Sequence, residues 1–355
     1  MTPALRVAFV LGAAVAVVVA VTGIVMYYEH PGDLYWLLGQ DELQHREFGR
    51  ILLTGGSGSL FANALEGEAI TGDATWGTGF VIALCSYVFG SDLSFMAVKC
   101  ALHLLATVLL YRLLVKYRGE RLAGYVAFFF LVYPPLLVYE SAFLKDDLVA
   151  SLVVIVSALI DRRHWIVALV LMLLLVIIRA NAALFPVIFI AYLWRARIGK
   201  LLLLSAVPLA AAALLIPQDF FIRLANILTL SPLTLVFYII KFLLGPLPTN
   251  ILDYDTEAVM IFPWYVLTFT AILAGFLLPD FYRSMRRNWL WILATLCVSL
   301  APYLPYVHEA DVIGPRQFST VGWLYLLLFY ECLLARYGIT LGLPLRKDPS
   351  WSAAT

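Results

Sequence analysis

Long apolar runs separated by short polar segments dominate this chain. A helix needs roughly 20 apolar residues to cross a bilayer, and only helices or closed barrels can satisfy the backbone there. The runs lack the alternation of apolar and polar residues that marks barrel strands. The pattern therefore predicts an all-α polytopic membrane protein with about ten transmembrane helices. These lie at roughly 5–28, 94–115, 122–142, 147–160, 165–178, 182–194, 200–216, 258–278, 289–306 and 318–335.

Two connecting segments are much longer than a simple connection requires. The first, 29–93, contains a Gly/Ser stretch at 55–58 between amphipathic stretches, and the second, 217–257, contains Gly245-Pro246. Long loops commonly carry function, and we expect amphipathic juxtamembrane helices in both. The apolar run at 76–90 is short for a span, so we interpret it as a helix on the outer interface. The sequence predicts a single integral membrane domain, residues 1–355, with no soluble domain.

Composition agrees with this interpretation. Hydrophobic residues make up 63% of the chain and charged residues only 13%, and the mean hydropathy is +0.92. A water-soluble globule of this size has no need of such a balance. The formal net charge of +1 says nothing about partners until the charges are placed along the chain. We expect membrane lipids among the partners and no nucleic acid.

The placement of the charges predicts an orientation. Sixteen of the 24 lysines and arginines fall at the two termini or in alternate connections, at Arg6, 112–121, 162–163, 195–200, 283–287 and 336–347, whereas most acidic residues fall in the other connections. Basic connections face the cytoplasm. The sequence therefore predicts two cytoplasmic termini and acidic loops on the outer face. We expect the inner membrane of a bacterium, with the functional site facing the periplasm.

Ionisable residues at membrane depth are the candidates for function, because each costs about 2.5–3.5 kcal/mol there. Most lie on the predicted outer side. They are Asp41 and Glu42 after the first span, Asp146 and Asp147 at the fourth, Arg179 at a later turn, and Arg316 before the last span. The polar Asn181 lies in the same turn as Arg179. Together they would offer a carboxylate that deprotonates an acceptor and guanidinium groups that hold a phosphate.

Each candidate also has a structural explanation. Asp41 and Glu42 are compatible with the acidic start of an amphipathic helix, which the helix dipole favours. Asp146 and Asp147 are compatible with an N-terminal helix cap. Arg179 interrupts an apolar stretch, where a structural ion pair would also explain it. The residues alone leave these alternatives open.

Two further groups carry less specific signals. Lys99 and His103 lie four positions apart on one helical face, and Lys99 is compatible either with catalysis or with snorkelling to the outer interface. His308, Glu309 and Asp311 have no recognised metal-ligand spacing, which favours a solvated loop. The sequence identifies no cofactor and leaves a divalent metal open.

The order of these features resembles the GT-C superfamily of membrane glycosyltransferases, in the branch of the protein O-mannosyltransferases and the lipid A aminoarabinose transferases. Those proteins have one span, then a long outer loop that opens with D-E-x-x-[YH], matched here by Asp41, Glu42 and His45. An interfacial helix ending in Phe-Gly and a span opening with a basic residue follow in the family. Phe89-Gly90 and Lys99 match them.

The later part of the chain continues the resemblance. An acidic residue precedes a span in FLKDDL, matched by Asp146 or Asp147. A basic residue precedes an apolar run with proline, matched by Arg179, and a late arginine opens the last run, matched by Arg316 in GPRQF. The late loop lacks the family's R-Y-R triplet. The similarity covers nearly the whole chain in layout, through short motifs in a common order.

The resemblance implies inverting transfer of a sugar from a polyprenyl-phosphate donor to an acceptor at the outer face. Asp41 would be the general base, with Glu42 beside it, and Asp146 or Asp147 would orient sugar or acceptor. Arg179, Arg316 and Lys241 would hold the leaving phosphate. The other expected substrate-binding residues are His45, Lys99 and Asn181.

Other functions are also compatible with the sequence. A polymerase or ligase of lipid-linked glycans would use the same outer chamber. For the transferase, the expected acceptor is a lipid, a glycan or a protein. A flippase or transporter for lipid-linked sugars would instead carry polar residues along the middle of several spans. The concentration of polar residues at one face favours the enzyme. The sugar, the acceptor and the length of the carrier are not defined by the sequence.

Overall fold

A computed structural model of the chain describes residues 3–29, 40–55, 59–65 and 76–194, with scattered positions between 231 and 299. Within these residues every regular element is a helix, which confirms the all-α prediction there. The helices are α1 (Pro3–Glu29), α2 (Gln40–Thr54), α3 (Leu60–Leu65), α4 (Gly77–Phe89), α5 (Ser94–Arg118), α6 (Glu120–Val132), α7 (Pro134–Glu140), α8 (Asp146–Asp161), α9 (Trp165–Ile178), a 3₁₀ helix (Ala180–Leu184) and α10 (Phe185–Trp194). The described positions between 286 and 299 are also helical. The predicted spans at 200–216, 258–278 and 318–335, and the loop at 217–257, lie outside the described residues.

Two described helices are long and apolar enough to cross a membrane, Leu5–Glu29 and Ser94–Arg118. Each has 25 residues, which extend roughly 38 Å at 1.5 Å per residue, more than the hydrocarbon core of roughly 30 Å. α1 exposes large apolar side chains such as Val10, Val18 and Val21, as a lipid-facing helix does. The other described apolar helices, α4, α9 and the segment Asn181–Trp194, are shorter.

α1 docks on the bundle through a stripe of small residues. Gly12, Ala16, Ala20 and Gly23 recur every three or four positions, so they share one face, and all four are buried. A Cβ atom at Gly12 would lie 2.8 Å from an α6 side chain, and one at Gly23 would clash with the carbonyl oxygen of Ser141. The backbones therefore approach closely, the type of helix contact that small residues permit in membranes.

The segment 122–142, predicted as one span, is not one continuous helix, because the structure divides it into α6 and α7. Tyr133 is extended, with φ −65° and ψ 107°, and Pro134 and Pro135 open α7. A residue before proline is disfavoured in the α conformation, while proline fits the first turn of a helix. The helix therefore stops and restarts at this point.

Two lysine–aspartate pairs show that α5 and α8 run in parallel. Lys99 and Asp147, near the starts of the two helices, pair at 3.0 Å. Lys116 and Asp161, near their ends, pair at 2.9 Å. α6 and α7 form the return path between them. The pairs also fix the register of the two helices.

The two helices after α8, α9 and α10, also alternate in direction. α9 runs back toward the start of α8 and ends before Arg179, which pairs with Asp146. α10 then runs to the end of α8, where the indole of Trp194 donates a hydrogen bond to Asp161. The bundle thus has an Asp146 end and an Asp161 end. The turn predicted at Arg179 is present, formed by extended backbone at that residue and the following 3₁₀ helix.

α4 lies between α2 and the end of α9. A Cβ atom at Gly79 would lie 2.5 Å from the Cβ atom of Phe48 on α2, and one at Gly77 would lie 2.5 Å from the backbone carbon of Ile177 on α9. α4 ends at Gly90, whose φ of 76° is the left-handed conformation that glycine adopts readily. Two close backbone contacts therefore hold α2 near Arg179.

We expect Gly23→Leu to destabilise the protein by about 1–3 kcal/mol, because the new side chain overpacks the contact with Ser141. Ala14→Leu is the matched control, since Ala14 is exposed on the same helix. Thermal unfolding in detergent, followed by tryptophan fluorescence, measures both. Equal midpoints for the two variants would contradict this contact.

Candidate functional site

The candidate site is built around an ion pair between Arg179 and Asp146. Arg179 Nη2 donates to Asp146 Oδ1 at 2.6 Å. Asp146 is fully buried and Arg179 retains 11% of its side-chain exposure. Asp146 is the first residue of α8, where the helix dipole stabilises a carboxylate, but it is not a side-chain cap: the N-cap residue is Lys145 and no side-chain cap bond forms. Two predicted residues that are 33 positions apart thus meet directly.

Lys99 belongs to α5, and its ammonium group lies at the centre of the turn that leads to Asp146. Its ammonium donates to the carbonyl oxygens of Tyr139 at 2.6 Å, Ala142 at 2.8 Å and Leu144 at 3.1 Å. It also donates to Asp147 Oδ1 at 3.0 Å. The side chain is 0% exposed, so Lys99 does not snorkel to an aqueous interface. An ammonium has three donors, and these four acceptors engage all of them.

A second buried pair lies one helical turn further along α5. His103 Nδ1 is 2.9 Å from Glu140 Oε2, and its Nε2 is 3.1 Å from the carbonyl oxygen of Phe130. Because a carbonyl can only accept, Nε2 carries a hydrogen. The contact between Nδ1 and the carboxyl group therefore holds one shared proton, whichever partner carries it. Lys99 and His103 share one buried face, as their spacing predicts.

The side chain of Phe143 joins α2 to this turn. Phe143 is buried, stacks on Phe95 of α5 at 6.0 Å and meets the edge of Tyr27 of α1 at 5.0 Å. The guanidinium of Arg46, on α2, lies 5.0 Å from the ring centroid of Phe143, a cation–π geometry. Arg46 also pairs with Asp92, in the connection between α4 and α5.

α2 carries the acidic pair predicted from the sequence. Asp41 is the second residue of α2, and its side chain lies outside the described part of the structure. Glu42 and His45 are both buried on the same helix. One helical turn separates Glu42 from Arg46, which touches the turn before Asp146. The acidic helix is thus docked at the same end of the bundle as the Arg179–Asp146 pair.

The remaining predicted residues have different positions. The Asn181 amide donates to the carbonyl oxygen of Val298 at 2.9 Å, which ties the turn after Arg179 to a helical stretch late in the chain. Lys241 and Arg316 lie outside the described residues, so their roles stay predictions. The same holds for the loop at 308–311.

Three charged residues of this region were not among those predicted from the sequence: Glu140, Arg46 and Asp92. Glu140 had a detectable signal, since it is an acid inside an apolar run, where ionisable residues mark functional or paired sites. Arg46 and Asp92 are 46 positions apart, and no local pattern predicts that pair. Within the described residues no group of three or more His, Cys, Asp or Glu side chains could hold a metal ion.

Comparison with known proteins identifies no relative of this chain. No protein-family model, no curated protein and no solved structure matches the chain.

We expect Lys99→Met to destabilise the protein by about 3–5 kcal/mol, because it leaves the buried Asp147 carboxylate uncompensated. The double variant Lys99→Met/Asp147→Leu should recover much of this loss, because two apolar side chains can replace a buried pair. Chemical unfolding in detergent measures the free energy of unfolding of each variant.

Lys116→Met provides a matched control at the other end of the same two helices. Lys116 is 55% exposed in its pair with Asp161, and exposed pairs contribute about 1 kcal/mol or less. A Lys99→Met variant as stable as Lys116→Met would contradict the role of Lys99 in holding the turn.

Proposed function

We propose that this protein is a membrane glycosyltransferase of the GT-C type. It transfers a sugar from a polyprenyl-phosphate donor to an acceptor, with inversion at the anomeric carbon. The observation that carries the proposal is the convergence at the Asp146 end. There Arg179 pairs with Asp146, and the helix that bears Asp41 and Glu42 docks on the turn before it.

The proposal includes about ten membrane spans, cytoplasmic termini and a site that faces the periplasm of a bacterial inner membrane. The alternating helix directions support it, because they bring the basic segments 112–121 and 162–163 together at the Asp161 end. Basic segments face the cytoplasm. The Asp146 end is then the outer end, where a lipid-linked donor presents its phosphate at headgroup depth.

In the proposed reaction the Asp41 carboxylate takes the proton from the acceptor hydroxyl or amine. The acceptor atom then forms a bond to the anomeric carbon of the sugar. The bond between that carbon and the phosphate oxygen breaks, and polyprenyl phosphate leaves with the electron pair. Glu42, beside Asp41, positions the acceptor, and His45 lies one turn away on the same helix.

The leaving phosphate gains charge in this step, so fixed cations stabilise the transition state more than the ground state. Arg179 takes this role in the proposal, together with Arg316 and Lys241. The ion pair with Asp146 holds the Arg179 guanidinium in place, which limits the rearrangement needed during the reaction. Lys99 acts as a positioning residue, because its ammonium is engaged by backbone carbonyls and Asp147.

A flippase or transporter for lipid-linked sugars is the second candidate. The shared proton between His103 and Glu140 favours it, because this pair lies nine residues, or roughly 14 Å, into the apolar helix α5. Buried ionisable pairs at such depth occur in proton relays of transporters. A flippase would move the lipid-linked sugar across liposomes without releasing polyprenyl phosphate, so one reconstituted system separates the two functions.

The proposed orientation predicts the accessibility of single cysteines. In a chain whose four native cysteines are replaced by serine, Ser91→Cys should react with a membrane-impermeant maleimide in intact spheroplasts. His164→Cys should react only after the membrane is permeabilised. Both positions are exposed and lie at opposite ends of the bundle. Labelling of His164→Cys in intact spheroplasts would refute the orientation.

Asp41→Asn should abolish transfer, because the amide cannot accept the acceptor's proton. Arg179→Met should lower kcat at least about 100-fold, the usual effect of removing one transition-state donor. The assay incubates reconstituted protein with a panel of polyprenyl-phosphate monosaccharides and an envelope extract as the acceptor source. Release of polyprenyl phosphate, measured by mass spectrometry, is the readout.

Arg163→Gln is the control, since Arg163 is exposed at the Asp161 end and should leave the rate unchanged. Unfolding midpoints show whether each variant is folded. Wild-type rates in folded Asp41→Asn and Arg179→Met would exclude the assigned roles. Absence of release by the wild-type protein across the whole panel would count against the transferase.

A further inference from the structure

A groove of about 620 Å³ runs between α2 and α4 and is bordered by the connection to α5. Ligand sites commonly have volumes of roughly 300–1,000 Å³. Leu43 and Ile82 contribute apolar surface, and Gly49 lets the two helices approach at this point. Ser86 and Ser91 add hydroxyl groups along the wall. The groove is separate from the Arg179–Asp146 pair, and the proposed reaction does not use it.

Four charged side chains line this groove, two of each sign. On α2, Arg50 donates to both carboxylate oxygens of Glu47, through Nε at 2.8 Å and through Nη2. Arg46 pairs with Asp92, which belongs to the opposite wall. The hydrogen bond from Arg50 lowers the pKa of Glu47, so that carboxylate is ionised at neutral pH. The formal charge of the groove is zero.

This charge arrangement is complementary to a ligand that is itself zwitterionic. A bare phosphate would be attracted by Arg46 and Arg50 but repelled by the carboxylates of Glu47 and Asp92. A phosphate with an amine two or three bonds beyond it satisfies both signs at once. The arginines bind its oxygens with charge-assisted hydrogen bonds, and the carboxylates bind its ammonium. Phosphoethanolamine has this chemistry.

An exposed apolar strip adjoins the groove. Tyr87, Val88 and Phe89 are 69%, 59% and 63% exposed, and they lie between the groove residues Ser86 and Gly90. Large exposed apolar patches mark contacts with partners or membranes, and tyrosine favours the membrane interface. Acyl chains would lie on this strip while their headgroup occupies the groove.

We propose that the groove binds the phosphoethanolamine headgroup of a membrane phospholipid, with its acyl chains along Tyr87 to Phe89. The inference rests on the proposed membrane placement but not on the proposed transferase reaction. Lipid binding and sugar transfer are measured separately, so the failure of one is distinguishable from the failure of the other.

Native mass spectrometry of the full-length protein in detergent tests this site. Dioleoyl-phosphatidylethanolamine should bind about tenfold more tightly than dioleoyl-phosphatidylglycerol, because the second lipid lacks the amine and its charged hydrogen bonds. Glycerophosphoethanolamine, which has the headgroup without the chains, should not compete at the same concentration. Equal affinity for the two lipids would overturn the proposal. If glycerophosphoethanolamine bound as tightly as dioleoyl-phosphatidylethanolamine, the occupant of the groove would not be a lipid.

Two variants separate the roles of the charges. Glu47→Gln should lower the affinity for phosphatidylethanolamine and reduce the preference over phosphatidylglycerol, since it removes one of the amine's two carboxylate partners. Arg50→Gln should weaken the binding of both lipids, since both carry the phosphate. These two side chains are 49% and 65% exposed, so the substitutions should leave the fold intact. An unchanged lipid preference in Glu47→Gln would contradict the groove as the site.

Lys116→Gln is the matched control, because it alters an exposed lysine in an ion pair at the opposite end of the bundle. Its lipid affinities should equal those of the wild type. Phe89→Ser should weaken the binding of both lipids and leave the preference for phosphatidylethanolamine unchanged. A Phe89→Ser variant with wild-type affinities would show that the strip does not hold the chains.

Discussion

The buried ammonium of Lys99 is the interaction on which the described site depends. A fully buried cation is tolerated only when its donors are satisfied, and here three carbonyl oxygens and the Asp147 carboxylate satisfy them. These acceptors all belong to the end of α7, the following turn and the start of α8. Their convergence fixes the path of that turn. The position of Asp146, the partner of Arg179, follows directly.

The two Lys–Asp pairs between α5 and α8 have the same chemistry but different consequences. Lys99 and Asp147 are almost wholly buried, so their pair constrains the surrounding backbone. Lys116 is half exposed, and its contact with Asp161 is screened by solvent. Both pairs agree on the parallel register of the helices. Of these two pairs, it is the buried one that holds the Asp146 end in its arrangement.

α2 joins two regions with separate chemistry. Its first turn carries Asp41, the proposed base, and Glu42, and Arg46 connects α2 to Phe143 in the turn before Asp146. Its later turns, with Glu47 and Arg50, form one wall of the groove. Close backbone contacts through Gly77 and Gly79 hold α2 near the end of α9. Lipid in the groove would thus contact the helix that positions the proposed base.

The sequence by itself determined the helical class, the bounds of α9 and the turn at Arg179, because apolar periodicity and turn chemistry are local properties. It also placed Lys99 and His103 on one helical face. Only the tertiary structure decided what lies against that face. Lys99 meets Asp147 instead of solvent, and His103 meets Glu140, partners that are 48 and 37 positions away. Such pairing depends on how the helices pack, and no local pattern encodes it.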